Sequence, residues 1–118
     1  THSDKDFVLI SVQRATARAN SWQIAPTHPL AEEGYQILDY DAGFSAIDWV
    51  LMEERDYDDR ACKVACMAEC LSPTSVNPNL IFCIYVKEAR VKAVVDRLVK
   101  SHNVTCYVDI NSAMFVGE

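Results

Sequence analysis

Four side chains that can bind an anion or a partner occur in one segment with little regular patterning. They are Arg14, Arg18, Trp22 and His28. The two guanidinium groups can hold a carboxylate or a phosphate, and a tryptophan can anchor a partner. The alternative is structural: Trp22 covers the edge of the core, and the arginines face water or the acidic part of the chain. The segment is therefore either a binding loop or a structural connection.

The acidic residues are concentrated between Glu32 and Asp59. This acidic segment contains ten acids and one base, a net charge of −9, whereas the rest of the chain carries +3. Repulsion from phosphates makes duplex nucleic acid a poor partner, and a basic protein is a favourable one. We predict a protein partner, with solubility as the alternative reason for the charge. The predicted contact residues are Glu53, Glu54, Asp56, Asp58 and Asp59.

Two aspartates lie at the end of a predicted strand. Asp39 and Asp41 would leave the strand end on the same side, where open α/β sheets bind ligands, so a Mg²⁺ ion or a polar substrate fits there. The sequence fixes no third ligand, and Asp near Gly43 is ordinary turn chemistry. We therefore predict neither a metal nor a cofactor.

The five cysteines lie inside apolar segments. Cys62, Cys66 and Cys70 recur every four residues in a predicted helix, but the first and third are separated by about 12 Å of helical rise, too far to share one zinc ion. We expect them to be buried core residues. A Cys/His dyad stays open, with His102 and Cys106 nearest in sequence.

Several catalytic motifs are absent. The chain has only three glycines, which excludes a dinucleotide-binding loop, a P-loop and a nucleophile elbow, since each needs closely spaced glycines. We predict a non-catalytic protein-binding or regulatory module of the antagonist or adaptor type. One alternative is a regulatory domain that holds a small anionic ligand through Arg14 and Arg18. Another is a small enzyme that uses the Asp39/Asp41 pair or a Cys/His site.

The elements that must position these side chains are clearest between Asn79 and Ile110. An unbroken apolar run at 80–86 predicts a central strand. Helical spacing of apolar residues follows over 88–101, and strand-like alternation over 104–110. A helix that joins two strands makes a right-handed crossover, so the two strands are predicted to be parallel.

The remaining elements are shorter. Pro26 and Pro29 exclude regular helix or inner strand around them. The predicted elements are an inner strand at 7–12, a strand at 35–40, and helices at 45–54 and 60–71, the last capped by Asp58 or Asp59. We predict one α/β (or α+β) domain over 1–118, a sandwich of about four strands and about three helices with a C-terminal βαβ unit. This arrangement also resembles ferredoxin-like domains, a likeness of fold that implies no function.

The sequence also bears on location. No apolar run approaches the roughly 20 residues that span a bilayer, and no signal-peptide pattern opens the chain, which begins with Thr1. An odd number of cysteines in apolar segments is typical of free thiols in a reducing compartment. The glycosylation sequon at Asn103 favours secretion instead. We predict a cytoplasmic protein with no membrane partner.

Overall fold

The chain alternates short strands with short helices. The structure, a computed structural model, describes residues 6–28 and 34–115. Within these ranges the elements are β1 (Leu9–Ser11), α1 (Arg14–Ala19), β2 (Gln23–Ala25), β3 (Leu38–Asp39), α2 (Tyr40–Ala46), α3 (Trp49–Glu54), α4 (Arg60–Cys66), β4 (Glu69–Leu71), β5 (Cys83–Val86), α5 (Ala89–Ser101) and β6 (Tyr107–Ile110), with short 3-10 turns at Pro78–Leu80 and Ser112–Phe115. This content confirms the predicted mixed α/β class. None of these helices combines the length and the apolar content needed to cross a membrane.

The chain divides into two compact units. Unit 1 is formed by Thr1–Gln13 and Val76–Glu118, and unit 2 by Arg14–Ser75. Each unit has its own three-stranded sheet, in the order β1-β5-β6 for unit 1 and β3-β2-β4 for unit 2. The described strands thus form two small sheets where about four strands were predicted. That 1–118 is one domain stays a prediction. Pro29 and Glu32 lie outside the described residues.

Unit 1 is built around the predicted strand, helix and strand. Strand β5 is central, antiparallel to β1 and parallel to β6, as the crossover argument requires. Its Ile84 and Val86 form the core together with Val91 of α5. The prediction of an inner strand at 7–12 is wrong, because β1 pairs with β5 alone and forms an edge of the sheet.

In unit 2, the helix predicted at 45–54 has the wrong start. Helix α2 already begins at Tyr40, within the predicted strand, and an extended Ile47 separates it from α3. Asp48 caps α3, since its Oδ1 accepts a hydrogen bond from the Leu51 amide at 3.0 Å.

The helix predicted at 60–71 ends early. Asp59 caps α4 as predicted, since its Oδ2 accepts a hydrogen bond from the Cys62 amide at 3.1 Å. The helix stops at Cys66, and the chain then forms β4, which pairs antiparallel with β2. Cys62 is buried and Cys70 is exposed. The three cysteines therefore do not form one buried helical stripe.

A glycine sets the distance between α2 and β2. A Cβ atom added to Gly43 would lie 2.5 Å from Cβ of Ile24 and 3.2 Å from its carbonyl oxygen. Ile24 is the middle residue of β2 and is buried. The helix rests directly on the central strand because residue 43 has no side chain.

Replacing Gly43 with Ala is therefore expected to lower the free energy of unfolding by about 1–3 kcal/mol, the usual cost of overpacking. Denaturant unfolding measures this loss. The control is Ala42→Ser, which changes an exposed neighbour on the same helix and should alter stability by less than about 0.5 kcal/mol. Equal stability of the two variants would contradict the close packing of α2 on β2.

Candidate functional site

Three aromatic rings form a row on α2 and α3. Tyr40 and Phe44 are one helical turn apart, so they share a face, and their ring centroids are 5.9 Å apart with an interplanar angle of 23°. The Phe44 and Trp49 centroids are 4.8 Å apart with an angle of 48°. All three rings are half-buried. We call Tyr40, Phe44 and Trp49 the aromatic row.

The break between α2 and α3 holds the row together. The Ile47 amide donates to the Gly43 carbonyl at 3.2 Å, and the chain then turns into the Asp48 cap. This turn brings Trp49 back over α2, where its indole Nε1 donates to the Phe44 carbonyl at 3.0 Å. A helix continuous through 45–54 would carry Trp49 away from Phe44.

The guanidinium group of Arg14 lies against two rings of the row. Its Cζ atom is 5.4 Å from the ring centroids of both Phe44 and Trp49, which is within cation–π range. Each such contact is worth about 0.5–1 kcal/mol at an exposed site. None of the ion pairs between described residues involves Arg14. Its charge is therefore not neutralised by a described carboxylate.

Arg18, one turn further along α1, is paired. Its Nε lies 2.8 Å from Oδ1 of Asp41, and its second terminal nitrogen donates to Oδ2 at 3.2 Å. This two-point contact fixes the direction of both side chains. Because the side chains are 66% and 70% exposed, the pair adds little to stability. Its effect is to cancel one positive charge beside Arg14.

Two clefts open along this surface of unit 2. The first, of about 440 Å³, is lined by Arg14, Ala15, Arg18, Tyr40, Asp41, Phe44 and Ser45. The second, of about 590 Å³, is lined by Arg18, Ser21, Asp39, Tyr40, Asp41 and Ala42. The Arg18–Asp41 pair and Tyr40 belong to both clefts. The first cleft is aromatic and cationic, and the second carries two carboxylates.

The structure brings together half of the predicted binding set. Arg14 and Arg18 both line the first cleft, whereas Trp22 and His28 line neither cleft. The sequence reasoning missed Tyr40 and Phe44. Their spacing of four residues was a usable signal, but it was hidden because residues 35–40 were predicted to be a strand.

Several of the acids predicted to contact a partner have structural contacts. Asp59 caps α4, and Oδ1 of Asp56 accepts a hydrogen bond from the Asp58 amide at 3.2 Å. Glu53 and Glu54 close α3 and are exposed. A role of these five residues in binding stays a prediction.

The other predicted chemistry is placed as follows. Asp39 and Asp41 line one cleft together, but no group of three or more metal-binding side chains occurs within 6–28 and 34–115. Nδ1 of His102 lies 2.9 Å from the Leu98 carbonyl, at the end of its own helix. Burial raises the pKa of the Cys62 and Cys83 thiols, which disfavours the reactive thiolate.

One face of the β3-β2-β4 sheet carries three exposed polar side chains beside the buried Ala25. Gln23 pairs with Asp39, and Ala25 pairs with Glu69. Paired residues, and residues two apart in a strand, share a face, so Gln23, Asp39 and Glu69 lie on the face opposite to Ile24. All three are exposed, and the ion pairs between described residues include neither carboxylate.

Comparison with known proteins gives two findings. The model of the DarT family, described as ssDNA thymidine ADP-ribosyltransferase, matches residues 1–116. Among solved structures, the chain is similar to Thermosipho africanus DarTG in complex with ADP-ribose, with a TM-score of 0.66 and 21% sequence identity. This likeness covers 92% of the present chain and 28% of that chain, and at this identity it shows the fold alone. The curated proteins contain no match.

The family match overturns two predictions. The non-catalytic protein-binding or regulatory module is wrong, because the family is described as an enzyme. The partner prediction is also wrong, because it named a protein and considered only duplex nucleic acid, whereas the substrate in the family's description is single-stranded DNA. The physical error was to judge the binding surface by the net charge of the chain. Aromatic rings and a nearby cation can hold a single DNA strand whatever that net charge is. Because the model of this family matches residues 1–116, the chain belongs to the DarT family.

Proposed function

We propose that the protein transfers ADP-ribose to thymidine in single-stranded DNA. The observation that carries this proposal is the match of the DarT family model, whose description names that reaction, to residues 1–116. The fold likeness to DarTG, which was solved with ADP-ribose, supports it. Since the present chain covers 28% of that chain, the whole activity is proposed for the protein that carries this chain.

The reaction requires a stabilised sugar cation. Transfer of ADP-ribose from NAD⁺ breaks the bond between the ribose anomeric carbon and nicotinamide. It joins that carbon to an atom of the thymidine, which loses a proton. Cleavage of a glycosidic bond develops positive charge on the sugar, and a carboxylate held nearby stabilises that charge. The enzyme therefore needs at least one well-positioned carboxylate.

We assign this role to Glu69. Of the exposed carboxylates near the sheet and clefts of unit 2, Asp41 is bound to Arg18. Asp39 ends β3 at the N-cap position of α2, and its side chain makes no capping hydrogen bond. Glu69 begins strand β4 and is paired with Ala25, which is fully buried, whereas Asp39 is paired with the exposed Gln23. The backbone of Glu69 is therefore held beside the packed part of the sheet.

We also propose a reducing compartment such as the cytoplasm. The support is the odd number of cysteines, distributed over apolar segments. The sequon residue Asn103 has a backbone role, since it adopts the left-handed conformation after α5 with φ of 54°, where asparagine is favoured over most residues.

The proposed activity is tested with the purified protein, NAD⁺ and an oligonucleotide that contains thymidine. Mass spectrometry is expected to detect the mass of ADP-ribose on the single strand and release of nicotinamide. The same sequence in duplex form, and a strand in which every thymidine is replaced, should stay unmodified. Absence of the adduct on the thymidine strand would contradict the proposed function.

A Glu69→Gln variant tests the assigned carboxylate. It is expected to lower kcat about 100- to 1,000-fold, the usual loss for one group that stabilises developing charge, because the amide keeps the shape but not the charge. Asp39→Asn is the matched control on the same sheet face and should lose less than about tenfold in kcat. A larger loss in Asp39→Asn than in Glu69→Gln would move the role to Asp39.

A further inference from the structure

We infer that the first cleft of unit 2 binds one nucleotide of single-stranded DNA, with its base stacked on Tyr40 and its phosphate on Arg14. This inference rests on the proposed function, and it names the surface that holds the DNA strand. It is separate from the role assigned to Glu69, because Glu69 lies on the sheet and its role concerns the transfer step.

The aromatic row provides the stacking surface. Tyr40 is at the end of the row, with Phe44 stacked behind it at 5.9 Å and 23°, and it lines both clefts. The hydrogen bond from the Trp49 indole to the Phe44 carbonyl holds the other end of the row. The Arg14 guanidinium lies against the Phe44 and Trp49 rings. Such a fixed ring suits base stacking, which tolerates any sequence because every base has a π face.

The charges favour a single strand. Arg14 has no ion pair with a described residue, whereas Arg18 is neutralised by Asp41 at 2.8 Å. The cleft thus offers one unpaired cation. Of the two nearby carboxylates, Asp41 is bound to Arg18 and Asp39 lines only the neighbouring cleft. A site that contacts about one phosphate and stacks a base suits an unpaired strand, whose bases are free to stack. A duplex buries its bases and presents phosphates on both strands.

The size of the cleft agrees with one nucleotide. Its volume of about 440 Å³ is in the lower half of the range for small-ligand sites, about 300–1,000 Å³. Ser45 at its wall supplies a hydroxyl that can donate or accept a hydrogen bond. The wall thus offers a nucleotide aromatic rings, a cation and a hydroxyl, and its one carboxylate, Asp41, is bound to Arg18.

Two variants of the purified protein test this inference. Binding is measured by fluorescence anisotropy with a labelled thymidine-containing strand of about 10 nucleotides, within the length that single-strand sites cover. Tyr40→Leu is expected to raise Kd about tenfold, the order of the affinity lost with one stacked base. Tyr40→Phe keeps the ring and should bind as tightly as the wild-type protein. Arg14→Gln should weaken binding and lower the slope of log K against log salt concentration by about 0.7, the contribution of one phosphate on a single strand.

The controls use residues that line neither cleft. Tyr57→Leu removes a tyrosine ring that is 60% exposed, and Arg97→Gln removes an exposed arginine of α5. Both should bind the strand as the wild-type protein does. Thermal unfolding of each variant identifies any loss of binding that comes from misfolding, and Arg14→Gln with its salt slope keeps the test valid if Tyr40→Leu is unstable.

The outcomes separate this inference from the proposed function. If the folded Tyr40→Leu and Arg14→Gln variants bind the strand as tightly as the controls do, the inference is overturned, even if the protein modifies thymidine. Weaker binding of NAD⁺, with strand binding unchanged, would also overturn it and assign the cleft to the dinucleotide. Loss of strand binding in these variants, from a protein that forms no DNA adduct, would support the cleft and contradict the proposed function.

Discussion

The close approach of α2 to β2 at Gly43 governs the arrangement of unit 2. With no side chain at this position, the helix lies directly on Ile24, where a Cβ atom would be 2.5 Å away. The same helix carries Tyr40 and Phe44, whose position is thereby fixed relative to the sheet. Because the chain then breaks at Ile47 and restarts at the Asp48 cap, Trp49 returns onto Phe44. The cleft beside Arg14 is a consequence of this packing.

A chain of net charge −6 is an unexpected member of a family described as acting on DNA. The described contacts reconcile the two, because several acids of unit 2 are held in local pairs and caps. Asp41 binds Arg18, Asp48 caps α3 and Asp59 caps α4. The proposed site combines one unpaired arginine with a row of rings, the two kinds of contact that single-strand sites use. Net charge reports on long-range steering and solubility, whereas recognition depends on the local surface.

The sequence predicted unit 1 better than unit 2, for a physical reason. The run at 80–86, the helical spacing at 88–101 and the alternation at 104–110 all indicated one unit, and β5, α5 and β6 confirm it. In unit 2 the elements are short, so tertiary contacts outweigh local preference. Cys70 continued a helical pattern, yet it lies in β4 because that segment pairs with β2. Arg14 and Arg18 were predicted to act together, but Tyr40, which lines the cleft beside them, fell in a predicted strand.

The central claim is that unit 2 presents a stacking surface for a DNA strand. The most direct measurement is an NMR titration of the purified protein with a short thymidine strand, observing the aromatic protons and the arginine Nε–H groups. The account predicts that Tyr40, Phe44 and Arg14 shift most, saturate together and do not respond to the same sequence as a duplex. Shifts confined to residues of unit 1, or equal responses to single strand and duplex, would contradict it.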